Sequence, residues 1–165
     1  KEVLGQDGSR VELIYGEVPT EASGEVEEIT REEIIREFVR DSGGVEIMVG
    51  VTHDPLFGPL IAFGLGGIHV ETLGDVQFRV APLTDRDATE MVRSIKGYRL
   101  LTGYRGQPAV DLHAIEDVLL RISHLVETIP EISELDLNPI FALSEGQGCK
   151  IVDARIRIEL PQRTG

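Results

Sequence analysis

The sequence predicts an α+β domain, a mostly antiparallel sheet with two amphipathic helices packed on it. Apolar residues at Val45, Ile47, Val49 and Val51 alternate with Glu46, Met48 and Gly50, the period of a half-buried strand. Ala88, Met91, Val92 and Ile95 recur at helical spacing, as do Leu112, Ile115, Val118, Leu119, Ile122, Leu125 and Val126. Short turn-rich segments at 53–59 and 144–148 separate apolar runs, so neighbouring strands return antiparallel.

Composition fits that class. The chain of 165 residues is long enough for one domain with a sizeable core and an appended arm. Hydrophobic residues make up 41% and charged residues 27%, ordinary for a globular protein. No apolar run approaches the roughly 20 residues a membrane span needs, and residues 1–4 open no signal-peptide core, so no membrane partner and a cytoplasmic location are expected. The single cysteine, Cys149, excludes an internal disulfide framework and a Cys-based zinc site. A net charge of −13 argues against nucleic acid, whose phosphates are met by clustered Lys and Arg. It leaves room for a nucleotide. ATP is held by backbone N–H groups, a metal ion and one or two cations, and carboxylates hold the metal. Much of the excess acid lies between Glu12 and Glu37, including Glu25, Glu27, Glu28, Glu32 and Glu33, the pattern of a solvated helix face.

Along the chain, residues 1–29 are polar and punctuated by glycine, with Val11, Leu13 and Tyr15 alternating like a short strand. Thr30 and Glu33 form a capping-box pattern, while residues 34–39 read equally as helix or strand. After the strand from Val45 comes the 53–59 turn, then a short apolar strand at 60–63, a pair suited to a hairpin. Ile68, Val70, Val76, Phe78 and Val80 supply further strand material. Thr84 with Asp87 is a second capping box, and Gly97 is expected to end the helix it opens. Residues 97–110 read as a structured loop, Asp111 caps the longest helix and Pro130 stops it. One strand through Leu135, Leu137 and 140–143, the turn at 144–148 and a second strand over 149–160 close the chain.

That last hairpin carries the most chemistry. If Leu143 pairs with Cys149 across the five-residue turn, Asn138 falls opposite Ala154 and diagonal to Asp153, with Asp136 on the same face as Asn138. Magnesium takes hard oxygen ligands, and an Asn carbonyl beside an Asp carboxylate meets that need. Asp and Asn near strand ends also serve as turn or edge residues, and a one-residue slip would change which atoms meet. The second candidate is 63–67, Phe-Gly-Leu-Gly-Gly, with Glu71 four residues on. Glycines after an apolar strand let backbone N–H groups approach an anion, although a tight turn explains them too. Neither GxGxxG nor a P-loop is present. His53, His69, His113 and His124 have no metal-ligand spacing, and Cys149 at a strand start suits a small apolar filler.

Several segments together resemble one family. They are Val45-Glu46-Ile47-Met48-Val49-Gly50-Val51, Asp54-Pro55-Leu56-Phe57-Gly58-Pro59, Phe63 through Glu71, and Asp75 through Leu83. To these add Ile95-Lys96-Gly97-Tyr98-Arg99, Gly103-Tyr104-Arg105-Gly106-Gln107-Pro108, Glu134-Leu135-Asp136-Leu137-Asn138-Pro139 and Val152-Asp153-Ala154-Arg155-Ile156. In this order they resemble the C-terminal part of the ATP-grasp domain of ADP-forming (NDP-forming) acyl-CoA synthetases, related to the succinyl-CoA synthetase beta subunit. The resemblance implies an ATP-grasp-like subdomain over 37–160, with an irregular arm or remnant at 1–36 and a tail at 161–165. It implies an acid–CoA ligase in which acid, CoA and ATP interconvert with acyl-CoA, ADP and phosphate through a phosphohistidine on another domain or subunit. By the same resemblance Asn138 and Asp153 are Mg2+ ligands, and Gly64, Gly66 and Gly67 face the phosphates of ATP or ADP. Glu71 joins that site, and the adenine-contacting hinge falls at Glu37, Phe38 and Val39.

The family's preceding subdomain, with its nucleotide-binding lysine, has no expected counterpart in 1–36, and the CoA-binding and phosphohistidine domains are also expected as partners elsewhere. The chain by itself is therefore expected to be inactive. A regulatory ATP-grasp-like module in a protein acetyltransferase-type fusion is the alternative, and a structural subunit contributing surface alone is a third.

Overall fold

The computed structural model describes residues 3–4, 10–11, 44–67 and 74–159. The chain forms two compact units, Lys1–Thr30 and Arg31–Gly165. In the first, strands β1 (Val3–Leu4) and β2 (Arg10–Val11) pair antiparallel, Val3 with Val11. The features expected at Leu13, Tyr15, Thr30, Glu33, 34–39 and 68–71 lie outside the described residues.

The second unit holds a six-stranded antiparallel sheet. Its strands are β3 (Val45–Asp54), β4 (Gly58–Leu65), β5 (Val76–Val80), β6 (Ile132–Ala142), β7 (Cys149–Ile151) and β8 (Ala154–Ile158). They run in the order β5-β4-β3-β6-β7, with β8 also paired to β6. The expected β3–β4 hairpin forms, from Asp54 opposite Gly58 to Ile47 opposite Leu65. Its tip closes because the Asp54 carboxylate accepts from the N–H groups of Leu56 and Phe57 at 2.8 and 3.0 Å.

Helix α1 (Asp85–Ser94) starts at the Thr84 capping box, with Thr84 Oγ1 accepting from the Asp87 N–H and the Asp87 side chain returning to the Thr84 N–H. Helix α3 (Leu112–Thr128) is capped by Asp111. The two expected amphipathic helices are joined among the described residues by a third, α2 (Tyr98–Leu101), one turn inside the segment read from sequence as loop. Gly97 does not end α1 but precedes α2. The cause is the buried carboxylate of Asp75, which accepts the N–H groups of Lys96 and Gly97 at 2.7 Å each. Leaving those donors and that charge unpaired would cost more than two further helical residues return, so Ile95 turns extended. A side chain at Gly97 would run into Leu65.

One core cluster unites Ile47, Val49 and Val51 of β3, Ile61, Phe63 and Leu65 of β4, and Leu135, Leu137 and Ile140 of β6 with the inner faces of α1 and α3. Strand residues alternate between faces, so both long helices cover the same side of the sheet. Among the described residues no helix packs on the other side. That uncovered face carries Glu46, Met48, Gly50 and Thr52 of β3, with Phe78 and Val80 of β5 at 53% and 44% exposure. No helix among the described residues is long and apolar enough to cross a membrane.

Candidate functional site

The uncovered face acquires its polar groups from β6 and the two strands that return along it. Ala142 pairs with Cys149 and Leu137 with Ala154. This is one residue away from the register expected from a five-residue turn. Leu143 instead donates into the turn itself, its N–H bonding to Gly148 O at 3.0 Å, while Gln147 N–H donates to Ser144 O at 2.9 Å. Gly146 and Gly148 take positive φ, and Asp111 holds both of their N–H groups, which fixes the tighter turn. The slip brings the two candidate metal ligands closer than expected. Asn138 lies directly opposite Asp153, joined by a 3.3 Å bond from the Asn138 N–H to the Asp153 carbonyl oxygen.

The single strand expected over 149–160 is broken at Val152 and Asp153. Those residues face Asn138 and Pro139, and Pro139 has no N–H to give to the ladder. Besides the Asn138–Asp153 bond, Val152 N–H donates to Pro139 O at 3.1 Å. The Asn138–Pro139 bond is cis. Register with β3 shifts at the same point, where Ile47 pairs with Ile140 but Val49 with Leu137. The interruption leaves Asn138 exposed on β6 and the Asp153 side chain 41% exposed in the break between β7 and β8.

Towards β8 the same face continues as a ladder of polar pairs. Asp136 stands opposite Arg155 and Glu134 opposite Arg157. Arg157 and Glu134 close an ion pair at 3.0 Å, whereas Arg155 leans to Asp153, Nη2 to Oδ2 3.7 Å. Thr52, Glu134, Asp136, Arg155 and Arg157 line a hollow of ≈ 540 Å³ beside the Asn138–Asp153 pair. Among the described residues no group of three or more His, Cys, Asp or Glu is arranged to hold a metal. Two hard oxygen donors on facing strands fit an ion that keeps most of its shell as water and phosphate, which is how magnesium is usually held.

The glycines sit at the end of β4. Met48 pairs with Gly64 on one side and stands level with Asn138 and Pro139 on the other, so Gly64 and Asn138 lie two strand spacings apart, about 10 Å. Gly64 is required by the sheet, since a Cβ there would come within 2.8 Å of Asp75 O. Gly66 and Gly67 pack against the Glu46 side chain. A Cβ on Gly66 would meet Glu46 Cγ at 2.7 Å, one on Gly67 would meet Glu46 Oε2 at 2.7 Å, and Gly67 has φ +64. Gly66 also spends its N–H on Glu46 O at 2.8 Å. Glu46 is thus a carboxylate laid over the glycine turn on the uncovered face. Sequence reasoning passed it over, although its place on the polar side of an alternating strand was a usable signal.

Other candidates separate from this site or fall outside it. Glu37, Phe38, Val39, His69 and Glu71 lie outside the described residues. His53 Nδ1 is 3.2 Å from Ser133 O, and His113 is 3.4 Å from the Glu116 carboxylate on its own helix. Cys149 is half-buried, and burial, aided by the Asp111 charge, pushes its thiol up to about 11, so it stays protonated and unreactive at neutral pH.

Comparison with known proteins places this geometry in a family. A profile described as "ATP-grasp domain" matches residues 6–158, reaching into the 1–36 stretch set apart in the sequence as an arm. The chain is 51% identical over 114 residues to the acetate–CoA ligase [ADP-forming] II subunit beta of Pyrococcus furiosus, covering 68% of this chain and 48% of the relative. It is 46% identical over 114 residues to the 4-hydroxybutyrate–CoA ligase [ADP-forming] of Nitrosopumilus maritimus, covering 69% and 16%. A solved acetyl-coenzyme A synthetase of Ca. Korarchaeum cryptofilum superposes with TM-score 0.67 at 44% identity, covering 79% of this chain and 65% of that one. That structure is described as a complex with coenzyme A and Mg-AMPPCP, its phosphohistidine segment pointing towards the nucleotide-binding site. The chain spans about half the length of the subunit relatives it matches.

Proposed function

The chain belongs to the ATP-grasp domain family, and from that membership we propose that its uncovered sheet face is the magnesium- and nucleotide-binding side of an ADP-forming acid–CoA ligase. The observation that carries the reading is the facing pair Asn138 and Asp153, two exposed oxygen-bearing side chains on paired backbone. Asn138 and Asp153 would hold Mg2+, which when bound neutralises phosphate charge. The Asp153 carboxylate contributes the charge and the Asn138 carbonyl a neutral donor, which keeps the metal electropositive towards phosphate. The backbone bond between Asn138 and Asp153 sets the two residues opposite one another before the nucleotide arrives, which lessens the reorganisation binding needs. ATP and ADP are the nucleotides. The turn at Gly64, Gly66 and Gly67 with Glu46 bounds the site on the β4 side, and Glu71 and the hinge at Glu37, Phe38 and Val39 are assigned to it by family resemblance.

In this reading acid, CoA and ATP give acyl-CoA, ADP and phosphate, with the phosphoryl group carried by a phosphohistidine outside this chain. The partners are a CoA-binding and phosphohistidine domain or subunit and an upstream ATP-grasp subdomain, in the cytoplasm. Residues 37–160 act as the C-terminal ATP-grasp subdomain, with 1–36 as an arm. The relatives reported above are named ligases or synthetases, which supports catalysis over the regulatory alternative. Incubating this chain together with its upstream ATP-grasp subdomain and its CoA-binding and phosphohistidine partner, with a short carboxylic acid, CoA and Mg-ATP, tests this. Stoichiometric acyl-CoA, ADP and phosphate are expected, and AMP with pyrophosphate, or no consumption of ATP, overturns it.

A further inference from the structure

We infer that Arg155 is the residue that receives the terminal phosphoryl group of the bound nucleotide, an inference that rests on the nucleotide reading of this face. Three polar pairs climb the face in register. Glu134 and Arg157 neutralise one another at 3.0 Å, and Asn138 and Asp153 offer oxygens to a cation. Arg155 sits between them with Asp136 opposite, and among the described residues its side chain makes an ion pair with Asp153 but no hydrogen bond. Its guanidinium stands 3.7 Å from Asp153 Oδ2, beyond hydrogen-bonding range, and its side chain is 80% exposed.

An arginine fork left unfilled beside a metal pair is suited to one class of ligand. Guanidinium presents parallel N–H donors that match two oxygens of a phosphoryl group, and such bidentate pairs are strong and directional. A phosphate held to the metal at Asp153 is brought to within reach of Arg155, because the two side chains already approach to 3.7 Å on one face. The ≈ 540 Å³ hollow at Arg155 and Thr52 gives such a group room. Arg157, closed on Glu134, is the internal control, with the same residue type on the same strand and face but a satisfied partner.

Calorimetric titration of the intact protein, in Mg2+, with ADP and with an ATP analogue bearing a β,γ-methylene bridge tests the assignment. Arg155→Ala is expected to weaken the ATP analogue about tenfold while leaving ADP within about twofold, since ADP lacks the terminal group. Arg155→Lys restores part of the loss, keeping charge without the fork, and Arg157→Ala leaves the ratio of the two affinities unchanged. Equal weakening of both nucleotides, no weakening, or the same selective loss in Arg157→Ala overturns the role of Arg155 while sparing the nucleotide reading. Failure of the unaltered protein to bind either nucleotide overturns both.

Discussion

The two faces of this sheet are built from the same strands and could hardly differ more. On the helix-covered face Ile47, Val49, Ile61, Phe63 and Ile140 are wholly buried, and each touches apolar neighbours from both long helices or adjacent strands. On the uncovered face the alternate residues of those strands include Glu46, Asp136 and Asn138, with Asp153, Arg155 and Arg157 returning beside them. Burial on one side stabilises the scaffold. Exposed charge on the other adds little stability, because solvent screens it. The sheet therefore separates the work: one face holds the backbone still, and the other displays groups whose use lies in a ligand. Substitutions at the buried apolar positions should thus show in folding, and those at the exposed polar positions of the uncovered face in binding.

The largest expected effect falls on the covered side. Phe63→Ala removes a fully buried ring from the cluster and is expected to cost about 3–5 kcal/mol in denaturant unfolding. A loss below about 1 kcal/mol would mean that the helix layer is not packed as described. A middle effect belongs to Asp111, which joins α3 to the β6–β7 turn by accepting the N–H groups of Ala114, Gly146 and Gly148. Asp111→Ala is expected to cost about 1–2 kcal/mol by the same measurement. Those bonds, first that from Ala114, hold the Asp111 carboxyl below the ordinary carboxylate range. Its folded pKa is depressed, so its contribution is present above the unfolded value and is lost as pH falls through the folded one. The gap between the unaltered protein and Asp111→Ala should accordingly shrink on acidification, and a constant gap down to pH 2 would break the assignment.

Much of the covered face was legible in the sequence, for a physical reason. Val45 to Val51 alternate at period two, and Ala88, Met91 and Val92 fall at helical spacing, because burying one side dictates both patterns. The Thr84 and Asp111 caps were readable for a similar reason, since each satisfies donors a few residues away. What escaped depends on long-range partners. Asp75 reaches 22 residues ahead to Gly97 and so decides where α1 stops and α2 begins. The β6–β7 register turned on Asp111 binding Gly146 and Gly148 from 35 and 37 residues away, which local turn length could not disclose. Asn138 and Asp153 were singled out by hairpin register and then by family resemblance, whereas Glu46 and Arg155 were readable as strand residues without any sign that one would cover a glycine turn and the other would stand beside Asp153 without a side-chain hydrogen bond.

The smallest effect on folding is expected at Asp153, and there the central claim is most exposed. Asp153→Ala should change unfolding stability by no more than about 0.5 kcal/mol, as suits an exposed position. Titration of Mg-ATP into the intact protein and into Asp153→Ala, with and without Mg2+, then decides the matter. The expected result is at least about a tenfold loss of affinity in Mg2+ and little difference between the two proteins without it. Equal affinity of the two proteins in Mg2+, with the fold intact, would contradict a magnesium–nucleotide site on the uncovered face.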